Sequence, residues 1–327
     1  MRVWAWMLAI AMFAGVTQAK VHVLSQEITT NNFLSEVAES TSSGPVVAIS
    51  PESPTSNGIS PEQQDLSKSE IDYGRLAIVG GALLGSMVVI QLYQQNGWWK
   101  DNRTSFHFQE DLVYSLSIDK FGHFFGGSAL TFVSSRSLMW ANVPERSALW
   151  WGAGMSLLFQ SYVEVQDGFS TWGFDRVDFL ADVGGAAWPV VQYYSPFLQN
   201  FDLKMSYHPS SLLNAPGGVG FRGQQHLMMD DYEGQTFWLS TKVNGLLPEP
   251  TASWWPDFLC LAVGTGVRDI TTQQYRVYYV GLDLDMTEII PQSSSFLKTL
   301  SHALNYIHFP LPAVRIYPNV AWYGIYF

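Results

Sequence analysis

Hydrophobic and polar positions divide the chain into stretches of different character. From Arg75 to Tyr93 it is almost continuously apolar (RLAIVGGALLGSMVVIQLY). Nineteen helical residues rising about 1.5 Å each span the hydrocarbon core of a bilayer. Gly81 and Gly85 lie four apart and offer a face on which a second helix can pack closely. Trp98, Trp99 and Lys100 follow in the manner of an interfacial belt. Three more apolar helices are expected, from about Asp119 to Trp140, about Glu145 to Val165, and near Asp175 to about Tyr194. Pro144 and the DGFSTWGF turn at 167–174 punctuate them. All three are apolar nearly all round, which implies burial in protein or lipid.

After Phe197 the period changes. Stretches at 201–208, 236–243, 258–267, 275–287 and 313–327 alternate or are rich in Tyr, Val, Trp and Thr, as strands are. One amphipathic helix at about 293–307 interrupts them, and the chain ends AWYGIYF. A terminal aromatic, Phe327, on an alternating strand is similar to the assembly signal of outer-membrane barrels. Five or six strands are nevertheless fewer than the eight of the smallest such barrels. The expected fold class is therefore α+β: a membrane-associated bundle of about four apolar helices at 74–198, then a β-rich C-terminal domain at 199–327, either a sheet or a partial barrel.

The beginning of the chain reads differently. Residues 1–19 (MRVWAWMLAIAMFAGVTQA) have a basic start, an apolar centre and Thr17 and Ala19 at a signal-peptidase spacing, so a signal peptide is expected. Residues 20–73 predict an acidic linker, with Ser, Pro, Glu, Gln and Gly dominating 38–70 and no apolar period. Eight of the acids and only two lysines fall in 20–72, against a net charge of −11 for the whole chain. That balance argues against nucleic acid as a partner, because phosphate binding needs a basic patch. Charged residues are only 14% of the chain and aromatics 15%, which suits a surface partly facing lipid. The single cysteine, Cys260, lies in an apolar run and reads as a buried thiol with no disulfide partner.

Against this apolar background five ionisable residues stand out: Asp119, His123, Glu164, Asp178 and Asp182. Asp119 and His123 are four apart and share a helix face, as do Asp178 and Asp182. Gly126, Gly127, Gly184 and Gly185 lie close by, where another backbone can approach, and Gln160 is one turn before Glu164. Charges among apolar helices are costly and would most cheaply face one another. Such a cluster suits three roles. It can be structural glue, with His123 bonded across a helix interface. It can be a catalytic site with His123 as acid or base. It can hold a divalent cation through His123, Glu164, Asp178 and Asp182. Asp175 reads as an N-cap, with Asp178 at N3 completing a capping box, and Lys120 is expected to point away and snorkel. No G-x-S-x-G, P-loop, H-E-x-x-H or C-x-x-C motif is present.

The strings DKFGH at 119–123 and EVQDGFSTWGFDRVDFLADVGGA at 164–186 resemble the YfiM-like family of bacterial envelope proteins. Further similarity runs through FHF at 106–108, DYEGQTFWLS at 231–240, YYVGLDLDMT at 278–287 and SFLKTLSHALNYI at 295–307. A more distant resemblance is to VanZ-like membrane proteins, which share the D-K-x-x-H helix and later Glu and Asp-x-x-x-Asn elements. Asp182 stands here where Asn is common there. The resemblance implies a bacterial cell-envelope membrane protein and brings no defined activity with it. The outer membrane is favoured over the inner one. Membrane lipid is the expected partner, with an envelope protein or a second copy of the chain as further candidates. Two rival functions accompany that expectation. One is a membrane enzyme acting on a lipid head group or cell-wall precursor, metal-assisted or not. The other is an envelope assembly or transport accessory factor.

Overall fold

The computed structural model describes residues 70–96, 99–100, 102–213, 229, 231–248 and 250–327. The expected signal peptide, nearly all of the acidic linker, and Trp98 lie outside these residues. Four long helices come first: α1 (Tyr73–Asn96), α2 (Ile118–Trp140), α3 (Glu145–Gly168) and α4 (Arg176–Tyr194). Six strands follow: β1 (Phe201–Tyr207), β2 (Gln235–Thr241), β3 (Leu259–Arg268), β4 (Tyr275–Leu284), β5 (Leu311–Tyr317) and β6 (Ala321–Tyr326). Between β4 and β5 lie the one-turn α5 (Met286–Ile289) and the amphipathic α6 (Ser295–Leu304).

The α+β class holds, and of the about four apolar helices expected one has the character of a membrane span. Among the described residues only α1 is long and apolar enough to cross a membrane, by length and composition. The other three pack on one another and carry polar residues inward: Thr131, Ser134, Ser135 and Ser156 are buried among them. These hydroxyls fasten neighbouring backbones, with Ser156 Oγ donating to Gly127 O at 2.8 Å and Thr131 Oγ1 donating to Ala186 O at 3.1 Å. Small residues permit such closeness. A Cβ on Gly127 would sit 2.9 Å from Ala186 N, and one on Gly185 would enter the backbone of Phe124. Gly81 and Gly85 are different, because a Cβ on either would meet no neighbouring element within 4 Å among the described residues. The α1 helix is instead fixed at its beginning, where Val79 and Leu83 pack with Leu138 and Ala148. Farther along it exposes Leu84, Val88, Val89 and Leu92.

The strands form one antiparallel sheet in sequence order, β1 to β6. The expected final strand at 313–327 is a hairpin, broken by the turn at Pro318 and Asn319. The free edge of β1 is met by the segment before β5: Met205 N donates to Tyr306 O and His308 N to Met205 O, both at 3.0 Å. The sheet thus curls back towards itself. Its concave side holds Trp238, Ala262, Val277, Tyr279, Ala313 and Tyr326. Lys204 and Asp283 are also inside, fully buried and 2.8 Å apart, and His308 stacks on Trp238 at 3.9 Å. Cys260 is buried and free, as its apolar run implies.

The convex side is apolar. Cross-strand partners Leu203, Leu239, Val263, Val280, Val314 and Trp322 make an unbroken row over all six strands. Leu239, Val263, Val280 and Trp322 are exposed. Helix α2 covers the neighbouring sector, where Phe121 stacks on Phe237 and Phe125 packs beside it. Tyr306 reaches α2 as well, contacting Phe125 and Phe132. Helices and sheet therefore belong to one compact unit.

Candidate functional site

The predicted polar residues meet where α2, α3 and α4 pack together. Helix α2 begins after three left-handed residues, Ser115, Leu116 and Ser117, with φ of 46°, 51° and 61°. Such backbone costs about 1–2 kcal/mol per residue; here it aims the first turn of α2, carrying Asp119 and Lys120, at the beginning of α4. Asp175 caps α4 as its sequence suggests, accepting from Val177 N at 2.7 Å and Asp178 N at 3.3 Å. The capping box does not form. Asp175 N donates to Glu164 of α3 instead, at 3.3 Å, and Asp178 turns to other partners.

Lys120 is the largest departure from expectation. It does not snorkel outward. Its Nζ lies 3.1 Å from Asp119, 2.8 Å from Asp175 and 3.0 Å from Asp178, with the side chain nearly buried. Four methylenes let it reach a direction that its position on the helix wheel does not indicate. Burial works against its charge, but Asp119 and Asp178 outweigh burial and raise its pKa.

His123 forms the second half of the cluster. Its Nδ1 is 2.9 Å from Asp182 Oδ1 and 3.7 Å from Glu164 Oε1, while Nε2 is 3.8 Å from Asp178 Oδ2. The imidazole is 27% exposed, whereas the Glu164 and Asp182 side chains are 3% and 0% exposed. Gln160 holds both ends of the pair, donating to His123 O at 3.2 Å and to Asp182 Oδ1. Asp182 Oδ2 has no hydrogen-bond partner among the described residues. Asp119 does not join His123 directly; the two are linked through Lys120 and Asp178.

The electrostatics follow from burial. Burial opposes the charge on His123, but the hydrogen bond to Asp182 and the charges of Asp178, Asp182 and Glu164 raise it to about 10. Burial lifts the Glu164 carboxyl to about 9 and Asp178 to about 6. Two participants carry no obvious sequence signal. Asp167, in the last turn of α3, is lifted to about 6 by burial and accepts from Trp99 Nε1 at 2.6 Å. Trp99 itself is buried, so it is an internal donor rather than part of an interfacial belt. The spacing of Asp167 from Glu164, three residues on one helix, was the available clue.

The arrangement thus separates into a locked half and a more open half. Lys120 and its three carboxylates are paired and nearly closed off. His123, Glu164 and Asp178 bring one potential ligand atom each to within 4.8 Å of one another, and only the imidazole edge is appreciably exposed. Chemically, that half can exchange protons or hold a cation. No family model, curated protein or solved structure matches the chain, so the YfiM-like and VanZ-like similarity rests on its sequence motifs alone.

Proposed function

We propose that the chain is a membrane protein of the bacterial envelope, with the outer membrane as its place. In this reading α1 and the convex side of the sheet face lipid, and the helical bundle holds its imidazole–carboxylate centre beside them. The observation that carries the reading is the distribution of polarity in the sheet. Charges point inward, at Lys204 and Asp283, while the row from Leu203 to Trp322 points outward. A soluble sheet normally does the reverse, and exposed apolar patches of this extent mark interaction or membrane surfaces. On β3 the outward positions run from Leu259 to Thr265, about 20 Å at roughly 3.4 Å per residue. That is close to the apolar band of about 25 Å on outer-membrane barrels. Six strands fall short of a lone barrel, and α2 covers the sector they leave. The signal-peptide pattern and the YfiM-like resemblance agree with export.

Separation of inner from outer membranes on a density gradient tests the reading. Recovery with outer-membrane markers is expected. Recovery in the soluble periplasm after osmotic release overturns it. A second reading, a membrane enzyme acting on a lipid head group or cell-wall precursor, is favoured by one feature: the cluster's most exposed member is its imidazole. Loss of a phenotype in a normally folded His123→Ala protein would support this reading, and loss of folded protein alone would oppose it.

A further inference from the structure

We infer that His123, Glu164 and Asp178 form a binding site for a first-row divalent transition-metal ion, with Asp182 orienting the histidine. This deepens the reading of the polar centre and is independent of which membrane holds the chain.

Three observations carry it. The first is ligand geometry. One nitrogen of His123 and one oxygen each of Glu164 and Asp178 lie within 4.8 Å of one another, and Nε2 is already 3.8 Å from Asp178 Oδ2. Metal–ligand bonds of about 2.0–2.2 Å require only a modest contraction of such a set.

The second is the partner of the other ring nitrogen. Asp182 Oδ1 accepts from Nδ1 at 2.9 Å, so an incoming cation would displace the proton of Nε2 while Nδ1–H stays bonded to the carboxylate. Metal-bound histidines are typically held this way by a carboxylate behind them. Gln160 donates to the same oxygen and so holds Asp182 in place.

The third is an excess of acidic groups. Asp119, Glu164, Asp167, Asp175, Asp178 and Asp182 gather around only two basic side chains, Lys120 and His123. Lys120 is committed to the Asp119–Asp175–Asp178 side. On the other side Asp182 is fully buried, and its Oδ2 has no donor among the described residues. A buried, unpartnered carboxylate oxygen on a side chain set among other acids calls for a positive charge nearby. The imidazole selects the class of ion. One nitrogen with carboxylates suits zinc, manganese or iron(II), whereas magnesium and calcium favour oxygen-only sets.

The test uses the full chain purified in detergent, stripped with EDTA and titrated with Zn²⁺ or Mn²⁺ by calorimetry. One equivalent is expected to bind and to raise the melting temperature of the stripped protein. His123→Ala and Glu164→Gln should each weaken binding at least tenfold, and Asp182→Asn by about tenfold through loss of the orienting bond. Cys260→Ser should bind as the parent does. Binding that His123→Ala leaves unchanged overturns the proposal, as does a parent protein that neither binds nor is stabilised by either ion. If the variants do not fold, Co²⁺ spectra of the parent decide. Visible bands of nitrogen and oxygen ligation support the site, and a thiolate charge-transfer band places the ion at Cys260 and overturns it. None of these outcomes depends on the gradient fractionation, so failure here and failure of the membrane reading remain distinguishable.

Discussion

Replacing Lys120 with methionine keeps its length and removes its charge. Asp119, Asp175 and Asp178 would then be buried without their common partner, and breaking a buried ion cluster on one side costs about 3–5 kcal/mol. Asp175→Ala removes one helix cap and should cost less, about 1–2 kcal/mol. Chemical denaturation of the two variants should rank them in that order. The same scale governs an acid limb. Asp285 is 3.0 Å from Lys242. Burial alone would raise its carboxyl, but Lys242, Asn305 and Thr287 together bring it down to about 2. A depressed carboxylate contributes its stability above its unfolded value, near 4, and loses it as pH falls through about 2. Stability should therefore drop by about 2 kcal/mol between pH 4 and pH 2. Lys242→Met should flatten that limb, measured by melting temperature against pH. The cluster itself was partly legible in the sequence, because ionisable groups on apolar helices have few cheap places to go. Lys120 and Asp167 were not: a helix wheel records where a Cβ starts, whereas Lys120 acts through its reach and Asp167 through a distant donor, Trp99.

At the scale of elements, backbone proximity separates two kinds of glycine. Gly185 lies against the backbone of Phe124 on α2, and Gly81 on α1 faces open space. Gly185→Val should push α2 from α4 and destabilise the bundle by about 3 kcal/mol, the upper end of the usual cost of overpacking. Gly81→Ala should leave stability unchanged or raise it by up to about 1 kcal/mol through helix propensity. Unfolding of the two variants in one detergent checks the contrast. Helix limits were readable because Pro144, the 167–174 turn and Asp175 mark them within a few residues. What apolar content could not distinguish was a helix facing lipid from one facing its neighbours. The deciding features are Thr131, Ser134, Ser135 and Ser156, which are buried among the packed helices. The final β-rich run divides at Pro318 and Asn319, a pair whose turn chemistry outweighs the β-forming residues around it.

For the molecule as a whole, the sheet's outward row is the surface to challenge. Val263→Asp and Val280→Lys place charges at exposed positions that a soluble protein would tolerate within about 0.5 kcal/mol. If the row faces hydrocarbon, each variant should shift from the membrane fraction towards aggregated or degraded material; unchanged membrane recovery would count against lipid contact there. Strand alternation made the two sides of the sheet visible in the sequence, but not which side was inner. That depends on curvature, and curvature depends on Met205 meeting Tyr306 and His308. This meeting also imposes a timetable. A chain made from its N-terminus has its four long helices and first four strands in hand about a hundred residues after Met205, before the piece that seals β1 exists. Closing so long a loop is slow, and until then β1 presents unpaired amides and carbonyls to any other strand. The segment from Tyr306 to His308 is thus a latch, and a ribosome that stalls before it leaves an adhesive intermediate rather than a shorter working protein.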